Sequence, residues 1–237
     1  MPRQFECNRE VVLEATPEQV WDAVATTAGN AAWLFPNEID AHAATTKAWD
    51  PPHHFAVRME QGDWFNALEF VIEGREGGTT LLRYAHSGIF ADDWDNQYDA
   101  VQQHTDFYLH TLGEYLKHFG GREATYIGDV PQGIQGPPAS ASEDGFRRLR
   151  KALGLDLGAS EGETVRLAPE GLSSVAGVID YRRPNFLGVR SEDALYCFFG
   201  RNAFGSPVGM SVHLFANGVD PEEVKREWEQ WLQGALA

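Results

Sequence analysis

From Phe5 to Ala15 apolar and polar residues alternate, with Phe5, Cys7, Val11 and Leu13 on one parity and Glu6, Asn8, Glu10 and Glu14 on the other. That period of two predicts a half-buried strand. At Thr16 the pattern changes: a capping threonine, Pro17 at the first helical position and Glu18 near the positive dipole end precede Val20, Trp21 and Val24 at helical spacing. A short second helix is expected in AGNAAWLF, residues 28–35. Strand patterns then follow in IDAHA (39–43), ATTKAW (44–49), HFAVRME (54–60), FNALEFVIEG (65–74) and TTLLRYAHSG (79–88), with REGG as the turn before the last, which reads as a meander. Parity puts Phe55, Val57 and Met59 on one face, Leu68, Phe70 and Ile72 on one face, and Leu82, Tyr84 and His86 on a third inward set.

The stretch DWDNQYDAVQQHTDFYLHTLGEYLKHFGG, residues 93–121, predicts one long helix. With Val101 as zero and about 100° per residue, Tyr108, Leu112, Tyr115, Leu116 and Phe119 lie within about 60° of it, a stripe expected to face the sheet. The Gly- and Pro-rich segment 118–142 then marks a boundary with a short strand and a loop. Beyond it a capped helix is expected in SEDGFRRLRKALGL (142–155), with Phe146, Leu149 and Leu153 on one side. Strands follow in 163–169, 174–182, 194–200 and 207–216, and a closing helix in 219–236 groups Val224, Trp228, Trp231 and Leu232. Helix, meander and aromatic terminal helix occur twice in order, while the residues themselves barely match, so a remote repeat is expected, with domains at 1–122 and 123–237.

At 237 residues the chain is long enough for two domains with real cores. Nineteen Lys and Arg against 35 Asp and Glu give a net charge of −16, which argues against a nucleic-acid partner. To Arg122 there are 19 acids and 8 bases, and beyond it 16 acids and 11 bases, so the first half carries most of the acidity. No apolar run reaches the roughly 20 residues of a bilayer span and the N-terminus lacks an apolar signal core, so a cytoplasmic protein without membrane insertion is expected. Cys7 and Cys197 are distant and read as free thiols.

The candidate chemistry thins out on inspection. His104, His110 and His118 point in divergent directions on the helix wheel, at about −60°, 180° and −100°. Asp93, Asp95, Gln97 and Asp99 alternate as in a calcium loop, yet Tyr98 stands where the loop needs glycine and His104 where it needs a bidentate glutamate. His53 and His54, adjacent in a strand pattern, point to opposite faces. No phosphate-binding glycine loop and no GxSxG serine elbow occurs. The run Arg147, Arg148, Arg150, Lys151 reads as a solvated helix face. No metal or other cofactor is expected.

REVVLEATPEQVWDAVAT, with TPEQVW after the first strand, and YLHTLGEYL in the long helix resemble the START, polyketide-cyclase and pollen-allergen superfamily, specifically the branch named for its similarity to the heat-shock protein 90 ATPase activator. The likeness covers residues 5 to about 120, and the second half only in element order. It departs where members often carry Gly-Trp before the helix pattern; this chain has His104 and Thr105. The resemblance implies an α+β helix-grip fold, a curved antiparallel sheet around a long C-terminal helix with an apolar cavity between them, here twice in tandem. Parity and wheel position nominate Trp33, Phe55, Val57, Met59, Leu68, Phe70, Leu82, Tyr84, His86, His104 and Tyr108 as lining, a mostly apolar set with a few polar groups, as in a small-molecule pocket. A solid core is the alternative. The reading ranks non-catalytic binding of a small apolar molecule first, a cochaperone-like protein-interaction module second, and a cyclase or dehydratase using Tyr84, His86, His104 and Tyr108 third, with no catalytic residues assigned.

Overall fold

The computed structural model describes residues 2–237. The chain divides into two compact units, residues 1–122 and 123–237. In the N-terminal unit β1 (Arg3–Leu13) leads into α1 (Pro17–Val24) and α2 (Thr27–Ala31). The meander β2 (Thr46–Asp50), β3 (His54–Gln61), β4 (Trp64–Arg75) and β5 (Thr79–Phe90) follows, and α3 (Trp94–Phe119) closes the unit. The strands lie in the order β1-β5-β4-β3-β2, all neighbours antiparallel. The last meander strand therefore returns beside the first, and the chain leaves it directly into the long helix.

Local chemistry sets these elements. Thr16 and Gln19 form a reciprocal capping box, Thr16 Oγ1 accepting from the Gln19 amide and Gln19 Oε1 from the Thr16 amide at 2.9 Å. Thr26 caps α2 by accepting from the Gly29 amide at 2.9 Å. A Cβ on Gly29 would sit 2.0 Å from the Asp22 carbonyl oxygen, so α2 can lie this close to α1 only with glycine there. The Trp33 indole donates to the Ala23 carbonyl at 2.9 Å and fixes the chain leaving α2.

Residues 32–45 form neither helix nor strand, so the strand expected in IDAHA is absent. Its alternation is Ile39, Ala41 and Ala43 against Asp40 and His42, and the alanines add too little apolar area to hold a strand. The segment instead closes in turns, with the Asp40 side chain accepting from the His42 amide and the Asp40 carbonyl from Thr46 Oγ1.

The register gives the sheet two faces. Phe55, Phe70, Tyr84 and Arg9 line up across β3, β4, β5 and β1 on the inner face, and Val57, Leu68, His86 and Cys7 line up beside them. Helix α3 packs chiefly against β1 and α1. The free edge of β1 is covered from α3: Trp94 donates from Nε1 to the Gln4 carbonyl at 3.1 Å and Tyr98 from its hydroxyl to the Glu6 carbonyl at 2.9 Å. Arg9, itself held by Asp106 of α3, donates to the Asn8 carbonyl at 3.0 Å. More of α3 is buried than the expected stripe, since Thr105, Phe107, Leu109 and Thr111 are buried as well as Leu112, Tyr115, Leu116 and Phe119. A single apolar stripe undercounts a helix whose threonines can bond backward along it, as Thr111 Oγ1 does to the Phe107 carbonyl.

The C-terminal unit contains β6 (Thr125–Ile127), β7 (Ile134–Gln135), α4 (Gly145–Ala152), β8 (Thr164–Leu167), β9 (Val175–Arg183), β10 (Phe186–Arg190), β11 (Ala194–Phe199), β12 (Gly209–Leu214) and α5 (Pro221–Leu236). Its sheet runs β6-β12-β11-β10-β9-β8, with β7 also on β12. Again the first strand lies beside the last, ahead of the closing helix. Strand β10 was not expected: Phe186, Leu187, Gly188 and Val189 are all buried, so no alternation exists to reveal it. Helix α4 starts without the side-chain cap expected for it, since Ser142 donates to Asp144 and no side chain caps the first turn. Among the described residues no helix is long and apolar enough to cross a membrane.

Candidate functional site

Between the inner face of the N-terminal sheet and α3 lies a small hole of ≈ 20 Å³, lined by Trp33, Leu34, Leu68, Phe70, Tyr84, Thr105, Tyr108 and Leu109. Strands β4 and β5 supply Leu68, Phe70 and Tyr84, the segment after α2 supplies Trp33 and Leu34, and one and a half turns of α3 supply the rest. Five of the eleven nominated residues meet here: Trp33, Leu68, Phe70, Tyr84 and Tyr108. Sequence reasoning missed Leu34, Thr105 and Leu109. Leu34 belongs to a segment with no period to read. Thr105 stands one turn before Tyr108, where the sequence departs from the pattern of the superfamily it resembles, and that departure was its signal.

The other six lie around the hole without lining it. Phe55 is buried behind Phe70, their rings stacked with centroids 5.7 Å apart. Leu82 is fully buried in the core opposite Val11. Val57 is half-buried on β3, and Met59, 50 % exposed, reaches past the covered part of the inner face. Beside it Trp64, paired with Gln61 at the hairpin end, is 42 % exposed. His86 turns to Asn66, its Nε2 2.8 Å from Asn66 Oδ1, with Phe5 edge-on at 5.0 Å. His104 folds back on its own helix, its Nδ1 2.8 Å from the Ala100 carbonyl, and its ring lies 6.1 Å from that of Tyr108.

Besides the inner-face Arg9 and His86, the polar groups in this interior are hydroxyls and a thiol. The Thr105 hydroxyl lies beside both the Cys7 thiol and the Tyr84 phenol and draws each pKa down, against the larger effect of burial. Burial pushes the Tyr84 phenol well above its ordinary value, with the neighbouring Cys7 adding to the shift. Burial likewise pushes the Cys7 thiol up, against the opposing pull of Arg9. Desolvation pulls the His86 imidazole down to about 4, so it is neutral at pH 7. All three are held in their uncharged forms at neutral pH. Among the described residues no group of three His, Cys, Asp or Glu side chains could hold a metal ion.

No family model matches the chain. No curated protein matches it either. Solved structures do. Protein MLL2253 from Mesorhizobium loti is similar over 49 % of this chain and 98 % of its own, at 18 % identity and a TM-score of 0.40. The Aha1 dimer from Colwellia psychrerythraea is similar over 47 % of this chain and 96 % of its own, at 17 % identity and a TM-score of 0.38. BexL, a di-domain ARO/CYC from the BE-7585A biosynthetic pathway, spans 96 % of this chain and 93 % of its own, at 12 % identity and a TM-score of 0.40. In this chain the strand order β1-β5-β4-β3-β2, followed directly by the long α3 across the inner face of the sheet, is that of the α+β helix-grip fold.

Proposed function

We propose that the N-terminal unit binds a small apolar molecule between its sheet and α3 and performs no chemistry on it. The observation that carries this reading is the hole itself: five apolar side chains and three hydroxyl-bearing ones converge on space in the middle of the unit. Its ≈ 20 Å³ admits about one water, whereas ligand pockets enclose roughly 300 Å³ or more. A ligand therefore enters by displacing part of the wall. Leu34, half-buried on the irregular segment 32–45, is the wall residue with the least secondary structure to hold it. Outward from the hole the apolar surface continues over half-buried Val57 to the exposed Met59 and Trp64, a ready path for an apolar molecule.

The protonation states favour binding over catalysis. A general acid or base works best with a pKa near the operating pH. Tyr84 is pushed far above that range, His86 is pulled to about 4 and faces Asn66, and His104 is bonded to its own helix. A protein-interaction role is the second reading, favoured by the exposure of Met59 and Trp64 on one hairpin end.

The substitution Tyr108→Trp separates a pocket from a solid core. Under the proposal the larger ring occupies the space a ligand needs, so an apolar fluorescent probe that binds wild type loses binding to the variant while the melting temperature changes little. In a solid core the same change overpacks and costs about 1 to 3 kcal/mol. Destabilisation of that size, together with no probe binding by wild type, would sink the ligand-binding reading. Native mass spectrometry of freshly purified protein adds an independent check, since a retained apolar mass supports the pocket.

A further inference from the structure

In the C-terminal unit two guanidinium groups from separate elements converge on one backbone oxygen. Arg150 of α4 and Arg182 of β9 both donate from Nη2 to the Leu157 carbonyl, at 3.2 and 2.6 Å. The Nε atoms of both are buried and bond to nothing among the described residues. Among the described residues neither guanidinium is paired with a carboxylate, in a chain that carries 35 acids and only 19 Lys and Arg. The neighbouring arginines differ: Arg147 is paired with Asp144 and Arg183 with Glu161. Burial, reinforced by the charge of Arg182, lowers the Arg150 pKa, which marks two like charges facing each other in a partly dry place. A neutral carbonyl is a weak partner for two cations, and it stands where an anionic oxygen would be bound more strongly.

The carbonyl also belongs to a peptide that can turn. Residues 156–159 form a turn closed by the Ala159 amide donating to the Asp156 carbonyl at 3.1 Å. Leu155 and Ala159 anchor it in the core, while the Leu157 side chain between them is 42 % exposed. The Leu157–Gly158 peptide is the central one of the turn. Types I and II differ by a flip of that peptide, and the flipped form asks for positive φ at the third position, which glycine accepts. A flip would swing the Leu157 oxygen away from the arginines and bring the Gly158 N–H, now bonded to Asp156 Oδ1 at 2.7 Å, toward them.

We propose that Arg150 and Arg182 form an oxyanion-binding site, for a phosphate or carboxylate group, closed in this structure by the Leu157 carbonyl and opened by rotation of the Leu157–Gly158 peptide. The site lies wholly in the C-terminal unit and is independent of the apolar hole in the other.

The test is a titration of the full chain at constant ionic strength, following the arginine Nε–H resonances and the melting temperature, with inorganic phosphate in one arm and acetate in another. The expected result is a saturable shift of two Nε–H resonances with a rise in melting temperature, and the arm with the tighter binding identifies the group. The double variant Arg150→Met, Arg182→Met should lose the response, and Gly158→Ala, which keeps the closed turn but resists positive φ, should weaken binding about tenfold or more. Unshifted resonances in both arms would overturn the proposal. So would an equal thermal response from the folded double variant, which would locate anion binding elsewhere. Unchanged affinity in Gly158→Ala would overturn the peptide gate.

Discussion

The two units share a strand order and differ in what fills the inside. In the N-terminal unit the inner face ends in a hole, a half-buried Val57 and Leu68, and an exposed Met59. In the C-terminal unit one cluster joins both helices to the sheet, with Ile134, Leu149, Leu153, Leu167, Val189, Phe198, Met210 and Leu232 all fully buried. The difference begins with what lies between the first strand and the meander. The N-terminal unit places two short helices and the irregular segment 32–45 there. The C-terminal unit instead tucks Leu153, Leu155 and Ala159 from α4 and its following loop into the core. A shared topology thus leaves the interior undecided, and the connection feeding the meander decides it.

The comparison can be broken most directly by truncation. Phe198→Ala in the filled unit is expected to cost about 3 to 5 kcal/mol, whereas Leu68→Ala beside the hole should fall at or below the lower end of the roughly 2 to 5 kcal/mol seen for buried leucines. Denaturant unfolding followed by amide resonances from each unit measures both. Equal losses would erase the distinction between filled and open interiors.

Acid should act through the N-terminal unit. His86 titrates at about 4 when folded and at 6.5 as a free side chain, so the unfolded chain binds its proton first as pH falls. The stabilisation from keeping it neutral is present above pH 6.5 and is lost between 6.5 and 4, amounting at full loss to roughly 3 kcal/mol at about 1.4 kcal/mol per pKa unit. His86→Gln, which keeps a hydrogen-bonding partner for Asn66, should flatten the N-terminal unit's stability profile across that window.

Smaller effects sharpen the picture of the polar interior. Thr105→Val keeps the volume and removes the hydroxyl beside Cys7 and Tyr84, for an expected loss of about 1 kcal/mol. Tyr98→Phe removes one donor from the β1 edge and should cost about 0.5 to 1.5 kcal/mol, visible as faster amide exchange at the start of α3.

Periodicity carried most of the fold. Alternation in β1 and the capping signal at Thr16 are local effects, fully expressed in neighbouring residues, and the long helix follows from its recurring apolar positions. Strand β10 was illegible because burial on both faces erases the period that reveals a strand. IDAHA misled for the opposite reason, since alternation without apolar bulk has nothing to bury. At the candidate site, parity placed Leu68, Phe70 and Tyr84 on the inner face correctly, but parity cannot say how far along a strand the covered region extends. Met59 shares that face and still reaches solvent. The turn of His86 toward Asn66 and of His104 toward its own helix depends on side-chain partners that spacing does not encode.

The cover on the β1 edge also constrains how the interior can open. Trp94 and Tyr98 tie the first half of α3 to the outward carbonyls of Gln4 and Glu6, and Asp106 ties it to Arg9 of β1. Lifting that end of the helix would strip two acceptors, at about 1 kcal/mol each, break the Arg9–Asp106 pair, and bare a strand edge able to capture another chain. The opposite wall, at Leu34, has no such anchor along a sheet edge. Under the proposed binding, a guest would pass by the irregular segment, leaving the helix as a fixed hinge post and the sheet margin sealed.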